Sequence, residues 1–136
     1  MIKRIPGNEK EQAGEVGKMI VDAIANGEYA LIEKTADSMG EAGWTAGEIK
    51  EYIETFIEDN GLSAFDPYDT PCKFNPVYKD GSKYEQEKFY FFNDGSGFRY
   101  EYDFTIDGDL NDLTLMLSFN YRGDTIEVVF DDMHVL

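Results

Sequence analysis

FRYEYDFTID (98–107), DLTLMLSFNY (112–121) and DTIEVVFDDMHVL (124–136) are the three stretches that decide the fold. In each of them apolar and polar residues alternate. A β-strand turns successive side chains to opposite faces, so each stretch predicts a strand with one apolar and one polar face. Short turn-forming runs, Asp107-Gly108-Asp109 and Arg122-Gly123-Asp124, separate the three. The C-terminal part of the chain is therefore predicted to be an antiparallel meander with one covered face and one face in water.

The alternation also predicts which residues face water and where a strand bends. In the first stretch every second residue is aromatic or aliphatic, and the residues between them, which include Glu101 and Asp103, are assigned to the water-facing side. In the third stretch the alternation changes phase after Phe130. A phase change inside one strand indicates a β-bulge, which we place at Asp131–Asp132.

The N-terminal part of the chain contains two long helical patterns and a short one. A helix is predicted from about Glu9 to Asn26, followed by a short helix over Glu28–Met39. Thr45 and Glu48 match a capping box, which predicts a third helix that begins there and ends at Asn60-Gly61. The apolar stripe of this third helix is Ile49, Tyr52, Ile53, Phe56 and Ile57. Because each long helix has one apolar face, both are expected to lie on the apolar face of the sheet.

The remaining segments complete an α+β fold. A loop is predicted over Leu62–Pro71, an edge strand over Cys72–Lys79, and a strand covered on both faces over Tyr84–Phe92. We therefore predict one domain in which N-terminal helices pack on a curved, mainly antiparallel, cone-like sheet of about five strands. Its parts are a flexible arm over 1–8, a helical part over 9–60 and a sheet over 72–136, within a single domain over 1–136.

The chain is strongly acidic, with 28 Asp and Glu residues against 12 Lys and Arg residues and a formal net charge of −16. Nucleic acids and anionic membranes are poor partners for such a chain, because binding either of them requires Lys and Arg. The charge has two readings: it keeps the protein soluble, or it forms a surface that attracts a basic protein. Core packing explains most of the tyrosines and Trp44, whereas tyrosines that lie on an open rim would be interface anchors.

Two further features concern the compartment. No apolar run is long enough to span a membrane, and the N-terminus, MIKRIPGNEKEQ, has no apolar signal-peptide segment. The single cysteine, Cys72, cannot form an internal disulfide, which fits a reducing environment. A cytoplasmic location is the resulting expectation.

Motifs for catalysis are scarce. The sequence has one histidine, His134, and one cysteine, so no zinc cluster is predicted, and it contains no phosphate-binding loop and no nucleophile motif. The spacing of Asp107, Asp109 and Asp112 suits either calcium ligands or a hairpin turn, and the turn is favoured because the full calcium-binding loop is absent. We expect no cofactor, no metal and no enzymatic activity.

The alternative to a protein without enzymatic activity is a catalytic pocket near the predicted bulge. Asp131 or Asp132, at the predicted bulge, would act as a general base if its carboxylate lay in an apolar pocket, because burial raises the pKa of a carboxyl group. Tyr102 would be the hydrogen-bond donor of that pocket.

Ala23–Leu31, AIANGEYAL, together with a later amphipathic helix and a C-terminal curved sheet, resembles the nuclear transport factor 2-like fold, also described as ketosteroid-isomerase-like or cystatin-like. The resemblance implies a cone whose N-terminal helices pack into the concave side of the sheet. Enzymes of this superfamily place an Asp base and a Tyr or Asp oxyanion donor inside the cone. The inward positions of this chain carry apolar residues or tyrosine, so only Asp131 or Asp132 could supply the base.

The closing residues, 112–136, resemble the C-terminus of small bacterial domains that end in an Asp-Asp-hydrophobic-His-Val-Leu string and are often immunity proteins found beside toxins. This resemblance implies a cognate protein toxin, such as a basic nuclease, as the partner. An acidic surface would pair with Lys and Arg around the toxin's active site and exclude its substrate. The carboxylates assigned to this surface are Glu101, Asp103, Asp107, Asp109 and Asp112.

Two other functions stay open at this point. The first is a small-molecule-binding or lyase- or isomerase-type cone that uses Asp131, Asp132 and Tyr102. The second is a structural partner domain that forms a homodimer through the sheet.

Overall fold

The computed structural model describes residues 1–71, 77–82 and 84–135. Its helices are α1 (Glu9–Asn26), α2 (Ala30–Thr35) and α3 (Ala46–Asp59), and its strands are β1 (Ile2–Lys3), β2 (Glu87–Phe91), β3 (Gly97–Ile106), β4 (Asp109–Arg122) and β5 (Thr125–Val135). Among these described residues, no helix is both long enough and apolar enough to cross a membrane.

The strands form one antiparallel sheet in the order β1-β5-β4-β3-β2. The predicted meander is confirmed as β3, β4 and β5. The sheet curls, and the N-terminal helices pack with it, so the predicted α+β, cone-like class is also confirmed.

A β-bulge in β5 lies where the change of phase predicted it. Met116 is opposite Asp132 and Leu117 is opposite Phe130, which leaves Asp131 as the extra residue. A second register shift, between Asp103 and Thr105, was not predicted from the alternation. Bulges bend the strand that carries them and increase its twist, so both contribute to the curl of the sheet.

The apolar face of the meander is filled by its own large side chains and by the helices. Phe98, Phe104, Phe119 and Phe130 are fully buried on this face. Each such side chain contributes roughly 1.5–3 kcal/mol by leaving water. The residues that the helices add to the same cluster include Ile20, Ile24, Ile32, Ile49 and Ile53. The inside of the cone is therefore a packed core.

The free side of β5 is covered by two segments that the sequence analysis did not place there. Ile2–Lys3, predicted as part of a flexible arm, pairs with β5 as β1. The short helix also ends earlier than predicted, at Thr35. The chain then leaves the helix so that Ser38 accepts a hydrogen bond from the backbone N–H of Phe130 at 2.9 Å.

The other side of the sheet differs from its prediction as well. β2 was predicted to be covered on both faces, and this is wrong, because Phe91 is 50% exposed. The reason is its place in the sheet: β2 pairs only with β3 among the described strands. Most of the predicted edge strand Cys72–Lys79 lies outside the described residues, since residues 72–76 are not described.

Helix α1 runs without a break through Gly14 and Gly17, which the helical pattern includes. A Cβ atom on Gly17 would lie 2.2 Å from the Tyr100 hydroxyl oxygen, so only glycine lets α1 approach β3 this closely. At Gly14 the nearest atom to such a Cβ is Glu87 Oε1 at 3.7 Å, which is ordinary contact. The capping box of α3 is confirmed, with Thr45 accepting from the Glu48 amide at 3.1 Å.

Substitution of alanine for Gly14 and for Gly17 should therefore have opposite effects on the free energy of unfolding. Gly14→Ala should raise the free energy of unfolding by about 0.5–1 kcal/mol, because alanine favours the helix. Gly17→Ala gains the same propensity but displaces the buried Tyr100 ring, so it should lower the free energy of unfolding by about 1–3 kcal/mol. Urea titration of both variants measures this, and equal effects would contradict the close contact at Gly17.

Candidate functional site

Two of the carboxylates predicted to contact a partner are buried instead. Glu101 is 6% exposed and Asp103 is 3% exposed. Asp103 accepts a hydrogen bond from Thr114 Oγ1 at 2.6 Å and a short one from the Tyr84 hydroxyl, and Glu101 Oε2 lies 3.1 Å from Arg99 Nη2. The prediction that these positions face water is wrong, because alternation gives the face of a strand but not what covers that face. Buried charges need such partners.

Asp107 holds the turn between β3 and β4 against the loop that follows α3. Its backbone is left-handed, with φ of 54°, and its carboxylate accepts from the amides of Ser63 at 2.8 Å and Ala64 at 3.0 Å. Asp109 and Asp112 are exposed. Of the five predicted contact residues, these two are the exposed ones. Within the described residues, no group of three or more His, Cys, Asp or Glu side chains is arranged to hold a metal ion.

The three residues of the predicted pocket do not meet. Asp131 accepts a short hydrogen bond from Ser118, and burial raises the pKa of its carboxyl group. Asp132 lies opposite Met116 and accepts from the Met133 amide at 2.8 Å. Tyr102 is buried on the apolar face, where its hydroxyl accepts from the Asp69 amide at 3.1 Å. The carboxylates and the phenol therefore lie on opposite faces of the sheet.

A different feature, on the outer side of α3, has the form of a binding surface. It is a groove of about 420 Å³. Residues three and four apart share a face of a helix, so α3 lines the groove with two parallel rows of side chains. We call it the α3 groove, and its lining residues are Trp44, Glu48, Glu51, Tyr52, Thr55, Phe56, Asp59 and Asn60.

An aromatic row forms the floor of the α3 groove. The Tyr52 ring packs edge-on against Trp44 at 5.4 Å and stacks on Phe56 at 6.5 Å. Trp44 also contacts the buried Phe130, and Phe56 contacts the buried Phe65, with centroid distances of 6.3 Å and 6.2 Å. The core thus fixes the row at both ends while all three of its rings stay half-buried.

The walls of the α3 groove are acidic. Glu48, Glu51 and Asp59 line it, and no Lys or Arg is among its lining residues. Burial, followed by the negative charge of Asp132, raises the pKa of Tyr52. Its hydroxyl therefore stays protonated at neutral pH, and it is a donor at the centre of an acidic surface.

The apolar stripe predicted for the third helix includes Tyr52 and Phe56. The structure buries Ile49 and Ile53 fully and leaves the two aromatic residues at the rim. The sequence feature that could have indicated these half-buried rings is the width of the apolar stripe of α3. Five apolar positions in two turns are more than one buried face needs, and carboxylates flank them at helical spacing.

The buried and exposed carboxylates predict different effects of truncation. Asp103→Ala leaves the Thr114 and Tyr84 hydroxyls without their acceptor and Lys88 without its ion-pair partner, so it should lower the free energy of unfolding by about 2–4 kcal/mol. The control Asp109→Ala, at an exposed turn, should stay within about 0.5 kcal/mol of the parent. Urea unfolding monitored by circular dichroism measures both. A small loss for Asp103→Ala would argue against the buried network.

Comparisons with known proteins place the chain in a family. A search of curated proteins gave no match, and a search of solved structures gave none either. The family model described as "Domain of unknown function (DUF7668)" matches residues 21–136, which run from the last third of α1 through β5 and leave β1 outside the match. The chain therefore belongs to the DUF7668 family.

Proposed function

We propose that this protein is an immunity protein, which binds a basic bacterial toxin of the nuclease class through the α3 groove and keeps substrate from the toxin's active site. The observation that carries the proposal is the α3 groove itself, an aromatic floor between carboxylate walls on a chain with a net charge of −16. The resemblance of residues 112–136 to bacterial immunity domains supplies the class of partner.

The aromatic row supports tight binding to a protein. Binding energy at protein interfaces concentrates in a few large side chains, with Trp and Tyr strongly enriched. Trp44, Tyr52 and Phe56 are rigid, because the core holds the row at both ends. Ordering them on binding therefore costs little conformational entropy.

The carboxylates support the choice of a basic partner. A nuclease surrounds its active site with Lys and Arg because its substrate is a polyanion. Glu51 and Asp59 on the groove wall would pair with those side chains, and the exposed Asp109 and Asp112 of β4 add to the negative charge that attracts the partner. Complementary charge raises the association rate and excludes other partners. Glu101 and Asp103 are left out of this surface, because both are buried.

The small-molecule alternative has less support. It requires an open cone with a carboxylate at its floor, whereas large aromatic side chains such as Phe104, Phe119 and Phe130 fill the inside. Asp131 and Tyr102 also lie on opposite faces of the sheet.

The test uses the protein encoded beside this chain as the candidate toxin, in growth-rescue assays and in binding measured by surface plasmon resonance. We expect rescue of a strain that expresses the candidate. Tyr52→Ala should raise Kd by about 30-fold, which corresponds to the cost of losing one central aromatic anchor. The fold of the variant is checked by urea unfolding.

Charge reversal supplies a matched control on the same helix. Glu51→Lys and Asp59→Lys should each lower the association rate by about tenfold at low salt. Glu58→Lys makes the same change of net charge on an exposed residue of α3 that does not line the groove, so it should leave the rate within about twofold. Equal effects of all three variants, or no binding by the wild type, would refute the proposal.

A further inference from the structure

Glu87, at the start of β2, has its carboxylate oriented by two tyrosines. Its Oε2 accepts hydrogen bonds from Tyr68 at 2.6 Å and from Tyr100 at 2.5 Å. Burial and the charge of Glu87 raise the pKa of both phenols, so both remain donors at neutral pH. Two donors on one oxygen fix the carboxylate in place, and Glu87 Oε1 points toward the space beside Gly14 of α1.

Glu87 lines two cavities. One, of about 410 Å³, extends along α1 past Glu15, and the other, of about 640 Å³, extends toward Glu85 and Tyr102. The residues common to both linings are Lys10, Tyr68, Glu87 and Phe89. Because the two cavities share these four residues, we infer that they are continuous, and we call the combined surface the Glu87 trough.

Aromatic rings flank the carboxylate in the Glu87 trough. Tyr68 stacks on Tyr102 with a centroid distance of 5.3 Å, and Phe89 packs against Tyr100 at 5.5 Å. A carboxylate beside ring faces suits an organic cation, because the carboxylate pairs with its charge while the rings attract it and contact its methylene groups.

The chain's own Lys10 already uses one of these rings. Its Nζ lies 5.5 Å from the centroid of Phe89 and 5.8 Å from that of Phe91. In the described structure Lys10 forms no ion pair with Glu87. An ammonium group is thus attracted to the ring beside Glu87, while both tyrosine hydrogen bonds go to the Oε2 atom of that carboxylate.

We propose that the Glu87 trough binds a linear aliphatic polyamine. One ammonium group pairs with Glu87, the methylene chain lies on Tyr68 and Phe89, and further ammonium groups reach Glu15 and Glu85 at the two ends. Lys10 at the mouth competes with the ligand for the ring face. This site is separate from the α3 groove and does not depend on the toxin-binding proposal.

The test is isothermal titration calorimetry with spermidine at physiological salt, which screens diffuse attraction to the acidic surface. We expect one saturable site on the wild-type protein. Glu87→Gln should weaken binding by tenfold or more, since glutamine keeps the size of the side chain and can still accept from the tyrosines. Lys10→Met should tighten binding by about threefold, because it removes the competing cation.

Glu58→Gln is the matched control, since it removes one exposed carboxylate far from the trough in sequence and outside its lining. It should bind spermidine like the wild type, as should Glu51→Lys in the α3 groove. Equal weakening by Glu87→Gln and Glu58→Gln would show diffuse attraction only and overturn the proposal. Weaker binding by Lys10→Met would overturn it too, and this variant changes an exposed side chain that the fold does not need.

Discussion

The apolar face of a curled three-stranded meander must be covered, and the rest of the structure depends on how this is done. The bulge at Asp131 and the register shift after Asp103 bend β3, β4 and β5 around their own phenylalanines. Helix α1 then crosses the concave side so closely that Gly17 touches the Tyr100 hydroxyl group. This contact fixes the height of α1 above the sheet. It thereby sets the space in which Tyr68, Tyr100 and Glu87 meet, while α3 is left at the rim with one aromatic row outside the core.

Acidic residues serve two different purposes in this molecule. On the polar face of the sheet, Asp103 accepts a hydrogen bond from the Thr114 hydroxyl and Glu101 forms an ion pair with Arg99. Both carboxylates are buried and belong to the interior of the protein. In the α3 groove, carboxylates stand beside half-buried rings with no Lys or Arg in the lining, and in the trough Glu87 stands beside half-buried rings with Lys10 and Lys18 in the lining. A net charge of −16 does not distinguish the two groups. Burial does distinguish them: Glu101 and Asp103 of β3, which were predicted to contact a partner, lie in the interior, whereas Glu51 and Asp59 on the groove wall are exposed.

Local patterns in the sequence predicted most of the helices and strands. They did not predict the contacts between segments that are distant in the sequence. Alternation of residue type identified the meander and the bulge, and the Thr45–Glu48 spacing identified the start of α3. The pairing of Ile2 with Ile126 and the bridge from Ser38 to Val129 join distant segments, which no local period encodes. The Glu87 cluster was missed for the same reason, because its members come from a loop, an edge strand and a central strand. In α3 the period located the apolar stripe correctly, but it could not tell how much of the stripe the sheet would cover.

Trp44 is the only tryptophan of the chain, and it stands half-buried at the end of the aromatic row in the α3 groove. The emission of an indole depends on its exposure to water and on nearby rings and charges. The tryptophan fluorescence of this protein therefore reports on the α3 groove alone, because the chain has no second tryptophan. A partner that covers the α3 groove changes the colour and intensity of that emission, whereas a ligand in the Glu87 trough leaves the indole untouched. The fluorescence of Trp44 therefore distinguishes binding at the α3 groove from binding at the Glu87 trough.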